Sequence, residues 1–327
     1  MLRLTFLIAL LLLCFTVSKG QNKFTLSGTV SDKSTGETLI GASVKLTGPL
    51  VTGIITNSYG FYSISIPSGK YTLSVSFIGY STLVQTIEIS KSEKLNLSLS
   101  GDNELSEVVI SSTKSNDNVS NPQMGLQKVN VKEISNVPVL LGERDVLKTL
   151  QLLPGIKSAG EGNSGFYVRG GSTDQNLILL DEAPVYNASH LLGFFSTFNS
   201  DAIKDLSVYK GGMPAQYGGR LSSVLDIRMN EGNRKSYEME GGIGLISSRL
   251  KVEGPLVKDK GSFMISARRT YLDAFLSLSP DSAINGNTLF FYDVNAKANY
   301  QLDDKNTFYL SGYFGRDKLG ISNSFGF

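Results

Sequence analysis

The chain has 327 residues, 41% of them hydrophobic, which is enough for two or three domains with cores of their own and excludes a disordered polymer. Lys and Arg number 31 against 29 Asp and Glu; removing residues 1–20, with Arg3 and Lys19 and no acid, leaves 29 against 29. A neutral balance offers no basic surface that would point to nucleic acid.

Arg3 precedes the apolar run Leu4 to Val17, which is shorter than the roughly 20 residues that span a bilayer and is followed by the small residues Ser18 and Gly20. This is the pattern of a cleaved secretory signal over residues 1–20, with an uncleaved anchor helix as the alternative. Cys14 follows Leu13, where lipid attachment takes a small side chain, so it belongs to the signal core. The exported chain then has no cysteine, and disulfides and thiolate metal sites are excluded. No second long apolar run follows, so a place in a membrane would have to be that of a β-barrel.

Between Phe24 and Leu99, short β-rich runs are predicted at Phe24–Ser31, Ala42–Thr47, Gly53–Thr56, Phe61–Ile66, Lys70–Phe77 and Leu83–Ile89. Turn signals such as Asn57-Ser58-Tyr59-Gly60 and Pro67-Ser68-Gly69 separate them, which suggests a small antiparallel sandwich over residues 23–100. Leu73, Val75 and Phe77 share its apolar face. Residues 101–121 are rich in Ser, Asn, Asp and Lys and read as linker, apart from Val108-Val109-Ile110.

A mixed α+β segment follows over residues 122–232. It has a predicted helix at Gly142–Leu153, ending before Pro154-Gly155, and strands at Phe166–Arg169, Leu177–Leu180, Leu206–Lys210 and Ser223–Arg228. From residue 233 the texture changes to long alternating strands near 236–253, 262–273, 291–302 and 306–316. These match the ~9–11 residues of a tilted membrane strand. In the third, Tyr292, Val294, Ala296, Ala298, Tyr300 and Leu302 form an apolar face. Asp293, Asn295, Lys297, Asn299 and Gln301 form a face expected to meet a wet lumen. Tyr237, Tyr271, Phe290, Phe291, Tyr300 and Phe308 are candidates for interfacial girdles. Four strands cannot close a membrane barrel, for which about eight is the minimum, so the barrel is expected to be incomplete.

Catalytic chemistry finds little support. His190 is the single histidine and no Gly-x-Ser-x-Gly elbow accompanies it, so a packing role is expected for it. Paired-histidine zinc sites cannot be built, and no Asp-x-Asp-x-Asp calcium loop or phosphate-cradling Gly-Lys motif is present. Asp181-Glu182 reads as a turn and not as a glycosidase pair. No enzyme activity, metal or cofactor is expected.

Three stretches resemble known families. Leu26-Ser27-Gly28-Thr29-Val30-Ser31-Asp32, Thr35-Gly36-Glu37-Thr38-Leu39-Ile40-Gly41-Ala42 and Phe77-Ile78-Gly79-Tyr80 resemble the carboxypeptidase-regulatory-like domain, which carries no catalytic residues. Glu104-Leu105-Ser106-Glu107-Val108-Val109-Ile110 resembles a TonB box, a short β-prone peptide able to add a strand to a partner's edge; a last strand of the sandwich is the alternative. Leu152-Leu153-Pro154-Gly155, Phe166-Tyr167-Val168-Arg169-Gly170-Gly171, Leu177-Ile178-Leu179-Leu180-Asp181, Tyr209-Lys210-Gly211-Gly212 and Tyr217-Gly218-Gly219-Arg220-Leu221-Ser222-Ser223 resemble the plug of TonB-dependent receptors of the SusC and related types.

The resemblance implies a mainly β protein: an N-terminal β-sandwich, an α+β plug, and the first strands of an incomplete antiparallel transmembrane β-barrel in the outer membrane. It implies a nutrient ligand, TonB as energising partner, outer-membrane lipid around the barrel and a possible surface lipoprotein as partner. Arg169 and Arg220 match motif arginines expected to meet the barrel wall through guanidinium–carboxylate contacts. Asp181-Glu182-Ala183 departs from a pattern that commonly has glycine after the acid, so a tight turn is expected to be lost there. The competing reading is a secreted or surface binding module without transport activity.

Overall fold

The computed structural model describes residues 23–101, 125–130, 143–160, 165–281, 284–303 and 305–321. The signal segment and Glu104–Ile110 lie outside the described residues. The rest falls into two compact units, the first built from the opening eight strands and the second from everything after them.

In the first unit, β1 (Lys23–Asp32), β4 (Phe61–Pro67), β7 (Glu93–Lys94) and β8 (Leu97–Leu99) form one sheet; β2 (Ser43–Thr47), β3 (Thr52–Ile55), β5 (Gly69–Ser76) and β6 (Leu83–Ile89) form the other. Alternation explains the packing. Leu26 and Val30, Val44 and Leu46, Tyr62, Ile64 and Ile66, and Tyr71, Leu73 and Val75 all point into one shared core. Within the β3–β4 turn, Asn57 accepts from the backbone N–H groups of Tyr59 (2.9 Å) and Phe61 (3.0 Å), and Gly60 supplies the φ of +69° that closes it. The sandwich is not wholly antiparallel as expected, because β1 pairs in parallel with both β7 and β8. Neither short strand was legible: Glu93-Lys94 is polar on both faces.

The second unit begins with a plug sheet in the order β13-β12-β17-β16-β9. Its strands are β9 (Leu126–Asn130), β12 (Asn176–Leu180), β13 (Ala183–Pro184), β16 (Ile203–Tyr209) and β17 (Ser223–Met229). Two small hairpins accompany it, β10 (Ile156–Ser158) with β11 (Phe166–Val168) and β14 (Ser189–His190) with β15 (Phe195–Ser196). The helix expected at 142–153 is shorter: α1 spans Val146–Leu150, capped by Asp145, whose side chain accepts from the Lys148 N–H at 3.0 Å. Turns fill Gln151–Gly155, where Gly155 has φ +80°. Val146, Leu147, Leu150, Leu206, Val208, Leu225 and Ile227 form the plug core.

After the plug, β18 (Glu238–Ile243), β19 (Ser247–Val257), β20 (Gly261–Thr270), β21 (Thr288–Gln301) and β22 (Thr307–Gly320) form one antiparallel meander. The single strand expected near 236–253 is a hairpin of two, turning at Gly244–Ile246, so five strands stand where four were counted. A short helix, α2 (Leu272–Leu276), interrupts the β20–β21 connection. The sheet is open among the described residues, and no helix there is long and apolar enough to cross a membrane, which says nothing of strands.

Candidate functional site

Along β20 and β21 the polar face of the meander is the buried one. Asp293, Asn295, Lys297 and Asn299 are at most 9% exposed, whereas the apolar face bearing Leu250, Ile265, Leu310 and Phe314 is 47–64% exposed. The face assigned above to a wet lumen is therefore packed against the plug. Period-two alternation separates two faces without saying which one a neighbour covers.

Four points hold plug and sheet together. At the first, Arg268 of β20 donates to Glu143 (2.6 Å), to Asp293 (2.6 and 2.9 Å) and to the Ser196 carbonyl (2.8 Å), and its guanidinium lies 4.9 Å over the Phe291 ring. Both carboxylates are buried, and Glu143 also accepts from Ser247. At the second, Lys297 of β21 donates to Asp181 (3.0 Å) and to the Met229 carbonyl (3.1 Å). At the third, Arg249 of β19 meets Asp201 at 2.9 Å. At the fourth, His190 stacks on Phe291 with centroids 4.2 Å apart, while its Nδ1 lies 2.6 Å from Asp317 and the Tyr313 hydroxyl lies 3.2 Å from its Nε2. His190 thus packs as expected, in a polar setting of β21 and β22. Uncharged bonds fill the gaps: Asn199 donates to Ser266 (2.8 Å), and Asn299 to the Glu231 carbonyl (2.9 Å).

Asp181 and Glu182 keep the tight turn whose loss was expected. They sit at φ +46° and +72° as the two-residue loop between β12 and β13, with Leu180 paired to Ala183. Left-handed backbone at two non-glycine residues is costly, and hydrogen bonding holds it. Asp181 accepts from the Met229 N–H (3.0 Å), and Glu182 from Arg228 (3.0 Å). Inside the plug, Asp226 accepts from Tyr217 (2.9 Å) and pairs with Arg228. Burial pushes the Asp226 carboxyl above its usual range, with Arg228 opposing; burial and then the Asp226 charge push the Tyr217 hydroxyl up. Burial likewise raises the Asp201 carboxyl against the pull of Arg249.

Gly170, Gly211, Gly212 and Gly219 all take positive φ. At Gly171 a β-carbon would overlap the Ser222 side chain, so that glycine serves close approach. Gly218 has open space around it. Arg169 and Arg220 are exposed, and Arg220 donates to the Gly219 carbonyl (3.1 Å). Among the described residues the ion pairs to the wall run through Arg268, Lys297 and Arg249 and not through these two arginines. Of the expected girdle, Phe291 is 0% exposed and faces the plug. No group of three or more His, Cys, Asp or Glu residues among the described residues is arranged for a metal ion.

Two family models match the chain. Residues 26–110 match the CarboxypepD_reg-like domain, and residues 121–223 match the TonB-dependent receptor plug domain. None of the curated proteins matches this sequence. Solved structures with similarity include the siderophore receptor PirA from Acinetobacter baumannii, at 20% identity over 60% of this chain and 32% of that one, with a TM-score of 0.45. PirA from Pseudomonas aeruginosa follows at 16% identity, 61% and 35% coverage and a TM-score of 0.44. A 5-hydroxyisourate hydrolase from Klebsiella pneumoniae shares 21% identity over 24% of this chain and 90% of its own, with a TM-score of 0.21. The chain spans about a third of the length of the two receptors. The chain thus joins a CarboxypepD_reg-like domain to a TonB-dependent receptor plug domain.

Proposed function

We propose that the chain serves the uptake of a nutrient ligand across the outer membrane, with β18–β22 as barrel wall, residues 122–232 as the plug that blocks it, and TonB as the source of work. The observation that carries this reading is the inward polar face of β20 and β21, joined to the plug by buried ion pairs rather than by apolar packing alone. Buried charge pairs add little net stability over apolar packing, yet they define one docked arrangement, and Met264 and Phe291 of the sheet add apolar contact to the plug. A plug that must dock in one position and still be moved suits such contacts.

Glu104–Ile110 is the proposed point of pull. The residues Arg169, Gly170, Gly171, Asp181, Gly211, Gly212, Tyr217, Gly218, Gly219 and Arg220 shape the plug loops that would respond. With Cys14 replaced, a cysteine introduced at Val108 is the only thiol in this sequence. In cells carrying a TonB with cysteines along its exposed strand edge, a disulfide to Val108→Cys is the expected result. Absence of any cross-link in a receptor that fractionates with the outer membrane sinks the coupling role of this segment.

A further inference from the structure

On the exposed face of the five-stranded sheet the side chains are Met239, Gly241 and Ile243 from β18, even-numbered residues 248–256 from β19, odd-numbered 263–269 from β20, and even-numbered residues from β21 and β22. That face carries no carboxylate. Its three charged residues are Arg269, Arg316 and Lys318, all exposed and all at one end. Arg269 pairs with Tyr292, and Tyr292 with Arg316, so the two arginines share one rung two strands apart, about 10 Å at ~4.8 Å per strand. Lys318 stands opposite Phe290 on the next rung of this face. Arg269 lies 5.1 Å and Lys318 5.8 Å from the centroid of that ring, which holds both cations in place. A groove of about 560 Å³ runs beside them, lined among others by Leu250, Ala267, Phe290, Tyr292 and Val294.

The position of the row along the strands gives it meaning. Lys318 and Phe308 are ten residues apart on β22; at ~3.3 Å per residue and a tilt of ~40° that is about 25 Å, the height of the apolar band of an outer-membrane barrel. At the far end Tyr237 packs on Phe263 (6.3 Å) and Tyr300 faces Phe308, an aromatic row without charge. That end holds the turn at 258–260 and the short link from β21 to β22, whereas the basic end holds the turn at 244–246 and leads into the longer connection 271–287. Short turns face the periplasm and long loops the exterior.

We propose that Arg269, Arg316 and Lys318 form a binding site for the phosphate groups of a phosphorylated, acylated saccharide lipid of the outer leaflet, with an acyl chain lying in the adjoining groove. This rests on the outer-membrane reading above. A row of cations beside aromatic rings at the end of an apolar band meets anionic headgroups at their own depth. Two arginines on one rung suit a headgroup with two separated phosphates better than a single phosphodiester.

The test uses the full-length receptor, purified from outer membranes, delipidated and studied by native mass spectrometry. The probes are bis-phosphorylated lipid A, the same lipid after phosphatase treatment, and phosphatidylglycerol. Wild type is expected to hold bis-phosphorylated lipid A selectively, and the triple variant Arg269→Gln, Arg316→Gln, Lys318→Gln to bind it at least tenfold more weakly. Should the triple variant fail to reach the membrane, the single variants serve, each expected to weaken binding about fivefold. Equal affinity in wild type and variant overturns the site. Phosphatidylglycerol held as tightly as lipid A overturns its assignment to a glycolipid. A receptor that does not fractionate with the outer membrane at all overturns the barrel reading itself, an outcome visible before any lipid is added.

Discussion

Replacing Arg268 with Met removes the charge at the centre of the plug–wall contact while keeping much of the side-chain volume. Four hydrogen bonds vanish, and Glu143 and Asp293 are left buried without their cation. Removing one partner from a buried pair costs about 3–5 kcal/mol, mainly because the remaining charge is uncompensated. If the plug opens locally from the wall, its opening equilibrium should shift by roughly two to three and a half orders of magnitude. Hydrogen-exchange mass spectrometry on peptides covering 143–150 and 195–199 reads this directly, with peptides from β1–β6 as internal control. Adding Glu143→Gln and Asp293→Asn to the Met variant should restore a large part of the protection, since no bare charge then remains. Exchange within threefold of wild type at both segments would refute the argument, as would a triple variant that exchanges as fast as the single one.

Other consequences follow from particular atoms. At Gly28 a β-carbon would overlap the Leu95 carbonyl, a backbone atom, so Gly28→Ala should destabilise the sandwich by about 1–3 kcal/mol or more, seen as a lower midpoint in urea. Tyr62 donates to the Leu95 carbonyl at 2.7 Å, and burial pushes its hydroxyl from 10.0 up to about 12. A raised folded-state value means that this stabilising contribution is present below pH 10 and lost as pH rises toward 12; Tyr62→Phe should flatten the unfolding profile in that window. Asp181→Asn keeps a residue tolerant of left-handed backbone but weakens the bond from Lys297. Exchange in 227–230 should rise while β12 stays folded, and global unfolding of the plug would contradict the local role assigned to this carboxylate.

Much of the fold is legible because its signals are local. The first six sandwich strands fall within about one residue of expectation, since apolar alternation and Gly, Pro and Asn turns specify both period and boundaries. The failures share a cause. The split of 236–253 into a hairpin turns on Gly244-Leu245-Ile246, which carries no Asn-Gly or Asp-Gly signal, and β7 and β8 exist only through pairing with β1. In each case a non-local partner decides the structure.

The site was half legible, and the missing half is instructive. The polar residues of β21 stood out in the sequence as one face, but water and a charged plug surface ask for the same side chains on a strand. What separates the two is charge arithmetic across the contact. A lumen filled with water needs no match between wall and plug, whereas here Arg268 meets Glu143, Lys297 meets Asp181 and Arg249 meets Asp201, wall cation to plug acid in each pair. Arg169 and Arg220 stood out through their match to motif arginines of the family resemblance, whereas among the described residues the cations paired with plug acids sit in the strands, where nothing but alternation marks them. Two wall acids, Asp317 at 2.6 Å and Asp293 at 3.5 Å, face His190 of the plug, and Asp293 also joins Arg268 on the wall. Matched charges of one polarity set the register of plug against wall, and Met264 of β20 completes the apolar core of the plug from the wall side.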